Sequence, residues 1–224
     1  MALRPLAVDW CCGRGGWSRG LIQVGFRTVG VDLADFSRYY PGEFRRADIR
    51  ELRGTEFGRP LLSVASPPCQ SFSTANARTR DPEAGLGLVR ECVRLFRASG
   101  TRWWALENVR GSVPYISRIL GPPLVSNGPW FVWGSFPPLA LPRLPLKGHA
   151  LQPRIWVVRS GREAGRVQHI RNWGWRPADE LAVIPLELAS HLGRAILSAS
   201  RGPQLAPGVS RSPGAAVVGP SAGN

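Results

Sequence analysis

Lysine is nearly missing from this 224-residue chain: Lys147 is the only one among 29 basic residues, and the other basic side chains are all arginine. Long apolar runs are missing too. No stretch reaches the roughly eighteen apolar residues that a membrane-spanning helix needs. The start "MALRPLAVDWCCGRGG" has neither the apolar region nor the small-residue cleavage site of a secretory signal. A cytoplasmic protein is expected, with no membrane partner. Cysteine is scarce: Cys11, Cys12, Cys69 and Cys92 form no C-x-x-C pair, which excludes the usual zinc spacing and a disulfide scaffold. His149, His169 and His191 are dispersed, so no metal site is expected. No internal repeat occurs.

What is there is basic. Fifteen acidic residues leave a formal net charge of +14. Such an excess favours a polyanion, because neutralising phosphates releases counterions and can supply most of the affinity for nucleic acid. Genomic bias towards arginine codons is the plainer explanation of the same number. An apolar content of 43% over this length supports one folded domain with a substantial core.

Along the chain, "LAVDW" (6–10) reads as a strand, "CCGRGGWSRG" as a glycine turn opening a helix, and "RTVGVDL" (27–33) as a second strand. "LLSVAS" (61–66) is a third buried strand. "GLGLVRECVRLFRASG" (85–100) has helical apolar spacing ended by Gly100, and "RWWALEN" (102–108) is a further strand. Alternating strands and helices predict an α/β fold with a mostly parallel sheet flanked by helices. Residues 111–150, crowded with proline and tryptophan, are expected to make an irregular excursion over the surface with short extended pieces. "RIWVVRS" (154–160) is a strand candidate, and "IPLELASHLGRAILSAS" (184–200) a helix with Pro185 in its first turn. Residues 1–200 would form one domain, and 202–224, mostly Gly, Pro, Ser and Ala, a disordered tail.

Several stretches carry chemistry. Gly13, Gly15 and Gly16 sit where a strand hands over to a helix, which suits close approach to a nucleotide-type cofactor or, equally, a tight structural turn. Asp32 ends the next strand, within reach of ribose hydroxyls. Asp48, in "RRADIREL", is placed either to accept from an adenine amino group or to make a surface ion pair among arginines. "SVASPPCQSFSTA" (63–75) puts Cys69 on a stiff Pro67-Pro68 corner at the carboxyl edge of a parallel sheet, where such sheets bind ligands. Thiolates are favoured near cations, which are plentiful here. "ALENVRG" (105–111) delivers Glu107 and Asn108 to the same edge; Glu107 is suited to act as an acid or to sit in a surface ion pair. Cys11, Cys12 and Cys92 read as core packing. The nine tryptophans suit either core packing or stacking on extruded bases.

Taken together, these stretches resemble the cytosine-C5 methyltransferases, which are S-adenosyl-L-methionine-dependent. "DWCCGRGG" is similar to the family's first cofactor motif, "VDL" to its ribose-binding acid and "ADI" to its adenine-contact motif. "SPPCQSFS" resembles the nucleophile loop, "ENV" the Glu-Asn-Val motif, and "QPRIWVV" the motif whose arginine lies beside the target base. The order matches across about residues 6–158, with an echo of the closing helix in "VIPLELASHLGRAIL". The resemblance implies a Rossmann-like S-adenosylmethionine-dependent methyltransferase fold. It also implies cofactor contacts at Asp9, Gly13, Gly15, Gly16, Asp32, Asp48, Ile49 and Pro67, and DNA as substrate. Cys69 would add to cytosine carbon 6, Glu107 would engage ring nitrogen 3, Asn108 would hold the nucleophile loop and Arg154 would orient the pyrimidine. The target base must leave the stack first.

Two departures stand out. Only about 25 residues separate "RIWVV" from "IPLEL", too few for a separate target-recognition domain. Readout would then be reduced, supplied by residues 111–150, or borrowed from a partner subunit or a second copy of the chain. The closing segment reads "ELAVIP", without the family's Gly-Asn. Methylation of RNA, as in the tRNA branch, remains a second reading, and an inactive basic nucleic-acid-binding subunit a third. For the cofactor half alone, hydride transfer with a nicotinamide cofactor is the runner-up.

Overall fold

The computed structural model describes residues 3–72, 80–144 and 183–201. The first apolar run forms β1 (Leu6–Trp10), and the glycine-rich turn opens α1 (Gly16–Gln23). Then come β2 (Arg27–Asp32), β3 (Glu43–Arg46), β4 (Leu62–Ala65), α2 (Pro82–Ala98) and β5 (Trp103–Asn108). After them follow α3 (Val113–Leu120), β6 (Val125–Asn127), β7 (Trp130–Ser135) and α4 (Leu186–Ser200). The strands make one sheet in the order β3-β2-β1-β4-β5-β7-β6. Strands β1 to β5 pair in parallel, and β7 runs antiparallel to both β5 and β6. The chain builds outward from β1 to β3, then crosses back to β4 on the other side of β1. That reversal creates a crevice at the carboxyl ends of β1 and β4.

Strand alternation sorts side chains into two core layers. Ala7, Leu62, Val64 and Ala105 point to the layer shared with α1 and α4, where Trp17, Leu21, Leu188 and Leu192 meet them. Val8, Trp10, Ala65 and Leu106 point to the layer shared with α2 and α3, against Val89, Cys92, Leu95 and Ile116. Because both faces are covered, the strands read as continuous apolar runs. Burying each of the valine, leucine and isoleucine side chains among them is worth about 1.5–3 kcal/mol. The layer behind β1 depends on close approach of α4 to α1: a Cβ placed on Gly20 would meet the Ala189 Cβ at 2.5 Å and the Leu186 carbonyl at 2.8 Å.

Some boundaries differ from expectation. Helix α2 begins at Pro82, three residues before the apolar spacing starts, because the Asp81 side chain caps it by accepting from the Ala84 N–H at 3.0 Å. Pro185 lies just outside α4, in extended conformation. The larger correction concerns residues 111–150: 113–120 form a helix, and the short extended pieces, at 125–127 and 130–135, do not wander over the surface but pair as a hairpin that extends the sheet. The prolines that suggested irregularity flank these elements. Pro114 fits the first turn of α3, where a missing N–H is tolerated. The strand candidate 154–160 and the tail 202–224 lie outside the described residues.

Candidate functional site

Four strands deliver the expected residues to one edge of the sheet. Past β1 the backbone takes left-handed conformations at Cys11 (φ 54°) and Gly13 (φ 49°). That twist aims the Gly13 N–H at Asp32 Oδ2, 2.9 Å away at the end of β2, while Asp32 Oδ1 accepts from the Ala34 N–H at 3.0 Å. Burial pushes the Asp32 carboxyl above its ordinary value, and these backbone donors pull the other way. A third tie runs from the first turn of α1: Trp17 Nε1 donates to Ser66 Oγ at 3.0 Å, just beyond β4.

The double-proline corner follows. Pro67 is buried, Pro68 exposed and Cys69 half-buried. From β5, Asn108 Nδ2 donates to the Pro67 carbonyl at 3.0 Å, and Asn108 Oδ1 accepts from the Val109 N–H at 2.9 Å. The Cys69 carbonyl accepts from the Phe72 N–H at 3.0 Å, closing a turn over the buried Phe72 ring. Glu107, 3% exposed, precedes Asn108 in β5 and is paired with Val132 of β7.

One cavity of about 510 Å³ collects these groups: Gly13, Asp32, Asp48, Ile49, Pro67, Cys69 and Glu107 all line it. The size is in the range typical of small-molecule sites. Asp48 caps a short helical turn by accepting from the Arg50 N–H, and its carboxylate is gripped by the Arg50 guanidinium. The Arg50 side chain, more than any other group, holds the Asp48 carboxyl down at about 2. A smaller pocket of about 110 Å³ adjoins, between Gly13, Gly16 and Trp17 on one side and Val183 and Ile184, which lead into α4, on the other.

A family model described as C-5 cytosine-specific DNA methylase matches residues 7–114. The Type II methyltransferase M.HgiGI of Herpetosiphon aurantiacus is 30% identical over 115 residues, which take in 46% of this chain and 88% of that protein. The chain belongs to the C-5 cytosine-specific DNA methylase family. Its sheet and flanking helices form an α/β Rossmann-like methyltransferase fold. Among solved structures, the chain is similar to a candidate DNA modification methyltransferase encoded within an E. coli prophage, at 16% identity and a TM-score of 0.45 over 64% of this chain and 53% of that one. It is also similar to the PH0226 protein of Pyrococcus horikoshii OT3, at 20% identity and a TM-score of 0.33 over 53% and 57%. The chain thus spans about half the length of these two structures.

Not every residue expected at the cofactor lines the cavity. Asp9 is sealed beneath the turn at 1% exposure: its Oδ2 accepts from Ser18 Oγ at 2.8 Å, and Ser18 in turn meets the Tyr40 hydroxyl. Burial pushes the Asp9 carboxyl well above its usual range. Gly15 also faces inward, and a Cβ there would meet the Pro41 Cδ at 2.5 Å. Gly16 lines only the smaller pocket, where Ile184 N would stand 2.6 Å from an added Cβ. By contrast, a Cβ on Gly13 would meet nothing within 4 Å. Arg154 lies outside the described residues.

Cys11 packs against the core, as expected, and it also lines both cavities; its thiol hydrogen-bonds with that of the buried Cys92, and this contact and burial push it well above the usual thiol range. Arg50 and Ser66 were missed as wall residues because each is singled out by a partner distant in sequence or by a local turn, not by a pattern. The tryptophans resolve in one direction among the described residues: Trp10, Trp17, Trp130 and Trp133 are fully buried, and Trp104 stacks on Phe96 with centroids 5.4 Å apart. No group of three or more potential metal ligands occurs among the described residues.

Proposed function

We propose that this protein methylates carbon 5 of cytosine in DNA, using S-adenosyl-L-methionine and a transient covalent bond from Cys69. The observation that carries the reading is the shared cavity: the nucleophile candidate and Glu107 face the same space as Asp32 and Asp48. Family membership supplies the reaction class. The walls suit the cofactor, since Asp32 keeps acceptor capacity for ribose hydroxyls, Gly13 leaves open space beside the turn, and Ile49 and Leu88 offer apolar surface to a base. When bound, S-adenosyl-L-methionine supplies an electrophilic methyl group on a sulfonium.

The chain's own groups do the rest. Carbon 5 is a weak nucleophile, so the Cys69 thiolate first adds to carbon 6, pushing electron density through the ring towards carbon 5 and nitrogen 3. Glu107, at the end of β5 and nearly dry, donates to nitrogen 3 and takes up that developing charge. Asn108 keeps the Pro67 corner in place while the sulfur–carbon bond forms. After methylation a base removes the carbon 5 proton, and the returning electrons expel Cys69 as thiolate.

The test is methyl transfer from labelled cofactor to total DNA and, in parallel, total RNA, with the 5-methylcytosine mapped. Label in DNA, lost in Cys69→Ser while calorimetry shows unchanged cofactor affinity, is the expected result. Label confined to RNA overturns the choice of substrate. A Cys69→Ser variant that turns over normally overturns the nucleophile assignment.

A further inference from the structure

The edge that carries Cys69 also holds an arginine and aromatic cluster that the chemistry above leaves unused. Tyr115, in the first turn of α3, packs against the Phe72 ring with centroids 6.0 Å apart, and Phe72 closes the turn on Cys69. The guanidinium carbons of Arg80 and Arg118 lie 5.5 and 5.7 Å from the Tyr115 ring centroid, and Arg80 Nη2 donates to the Tyr115 hydroxyl at 3.1 Å. Both arginines are exposed, and neither forms an ion pair among the described residues. The nearest acid in sequence, Asp81, is engaged in capping α2.

We propose that Arg80 and Arg118, set on Tyr115, form a phosphate-binding site that holds the DNA backbone beside the extruded cytosine. This inference rests on the functional reading above. A guanidinium lying on an aromatic ring has already lost part of its rotamer freedom, so less is lost when its remaining N–H donors take a phosphate. Charged and planar, it grips phosphate oxygens more tightly than a neutral donor does. The Phe72–Tyr115 contact couples the cluster to the turn on Cys69, so a strand held there is in register with the nucleophile. A flipped base needs that, because unstacking removes the neighbours that position it. An ordinary solvated face would intersperse carboxylates with its arginines, as at Arg27 with Glu43.

The fold provides its own control. Arg102 lies over the Trp103 ring at 5.2 Å, but at the start of β5, on the opposite edge of the sheet. The experiment measures binding of the full chain to a labelled mixed-sequence DNA duplex as a function of salt. Arg80→Gln and Arg118→Gln should each lower the slope of log affinity against log salt by about 0.9, and the pair by about 1.8. Arg118→Lys should retain the slope, since the charge remains. Arg102→Gln should leave it unchanged, and all variants should bind S-adenosylhomocysteine as the wild type does. Unchanged slopes in the Arg80 and Arg118 variants, or an equal loss in Arg102→Gln, would overturn the site in favour of a diffuse basic field. Failure of the wild type to bind DNA would overturn the functional reading itself, before any variant is compared.

Discussion

Replacing Asn108 with alanine should uncouple the loop that carries Cys69 from the sheet. Asn108 is 1% exposed and spends both ends of its amide: Nδ2 on the Pro67 carbonyl, Oδ1 on the Val109 N–H. Truncation leaves the Pro67 carbonyl without a donor in a buried setting, costing about 1–3 kcal/mol, and loses the second bond for about 0.5–1.5 kcal/mol more. The combined effect is about 1.5–4.5 kcal/mol, to be read from urea unfolding with an unchanged m value. Part of that energy should appear as loop displacement, and each 1.4 kcal/mol so diverted is about a tenfold drop in the competent population. Trapping of Cys69 by DNA carrying 5-fluorocytosine, which blocks the final proton loss, should therefore slow by about ten- to a hundredfold, with cofactor affinity nearly unchanged. Asn108→Asp should be worse than alanine, because it sets an oxygen against the Pro67 carbonyl beside Glu107. Stability within about 0.5 kcal/mol of wild type together with a wild-type trapping rate would refute the reasoning.

Three further outcomes are expected. Gly20→Ala forces a methyl group into Ala189 and the Leu186 carbonyl, so it should lower stability by about 1–3 kcal/mol, visible as a reduced Tm; an unchanged Tm means that α4 yields freely. Burial raises the Asp32 carboxyl, so cofactor affinity should weaken as pH falls through that raised value, and Asp32→Asn should flatten the profile in calorimetry; an unchanged profile in the variant removes Asp32 from ribose binding. For Asp9 the raised carboxyl has the opposite sign for folding. Its favourable contribution is complete below the ordinary carboxylate value and is lost as pH rises through the folded one, so Asp9→Asn should gain on wild type between acidic and neutral buffers in urea titrations; a constant difference would contradict this.

Much of the fold was legible because its signals are local. The runs at 6–10, 61–66 and 102–108 are apolar on both faces, which only a strand covered from both sides tolerates, and each is found as β1, β4 or β5. Helix α2 was visible through spacing, its true start only through the Asp81 cap. In 113–135 the extended pieces are legible, but proline and tryptophan density masks the short helix, and the pairing of the hairpin with β5 joins residues from elsewhere in the chain. At the site, Cys69 and Asn108 were legible as motif residues, whereas the bond from Asn108 to Pro67 spans 41 positions.

The sequence by itself determined which chemistry is available: one cysteine on a stiff double-proline corner, an acid and an amide at the next strand end, a glycine turn, and an excess of arginine. Those are properties of residue type and of order along the chain. Only the tertiary structure decided which of these groups share a space. It brought Cys69, Glu107, Asp32 and Asp48 to one cavity, tied Asp48 to Arg50, sealed Asp9 beneath the turn, set Cys11 between the cavity and the core and placed two arginines on Tyr115. The physical reason is that burial and hydrogen-bond pairing are set by whichever elements pack together, and the parallel crossovers bring together residues that no local pattern links.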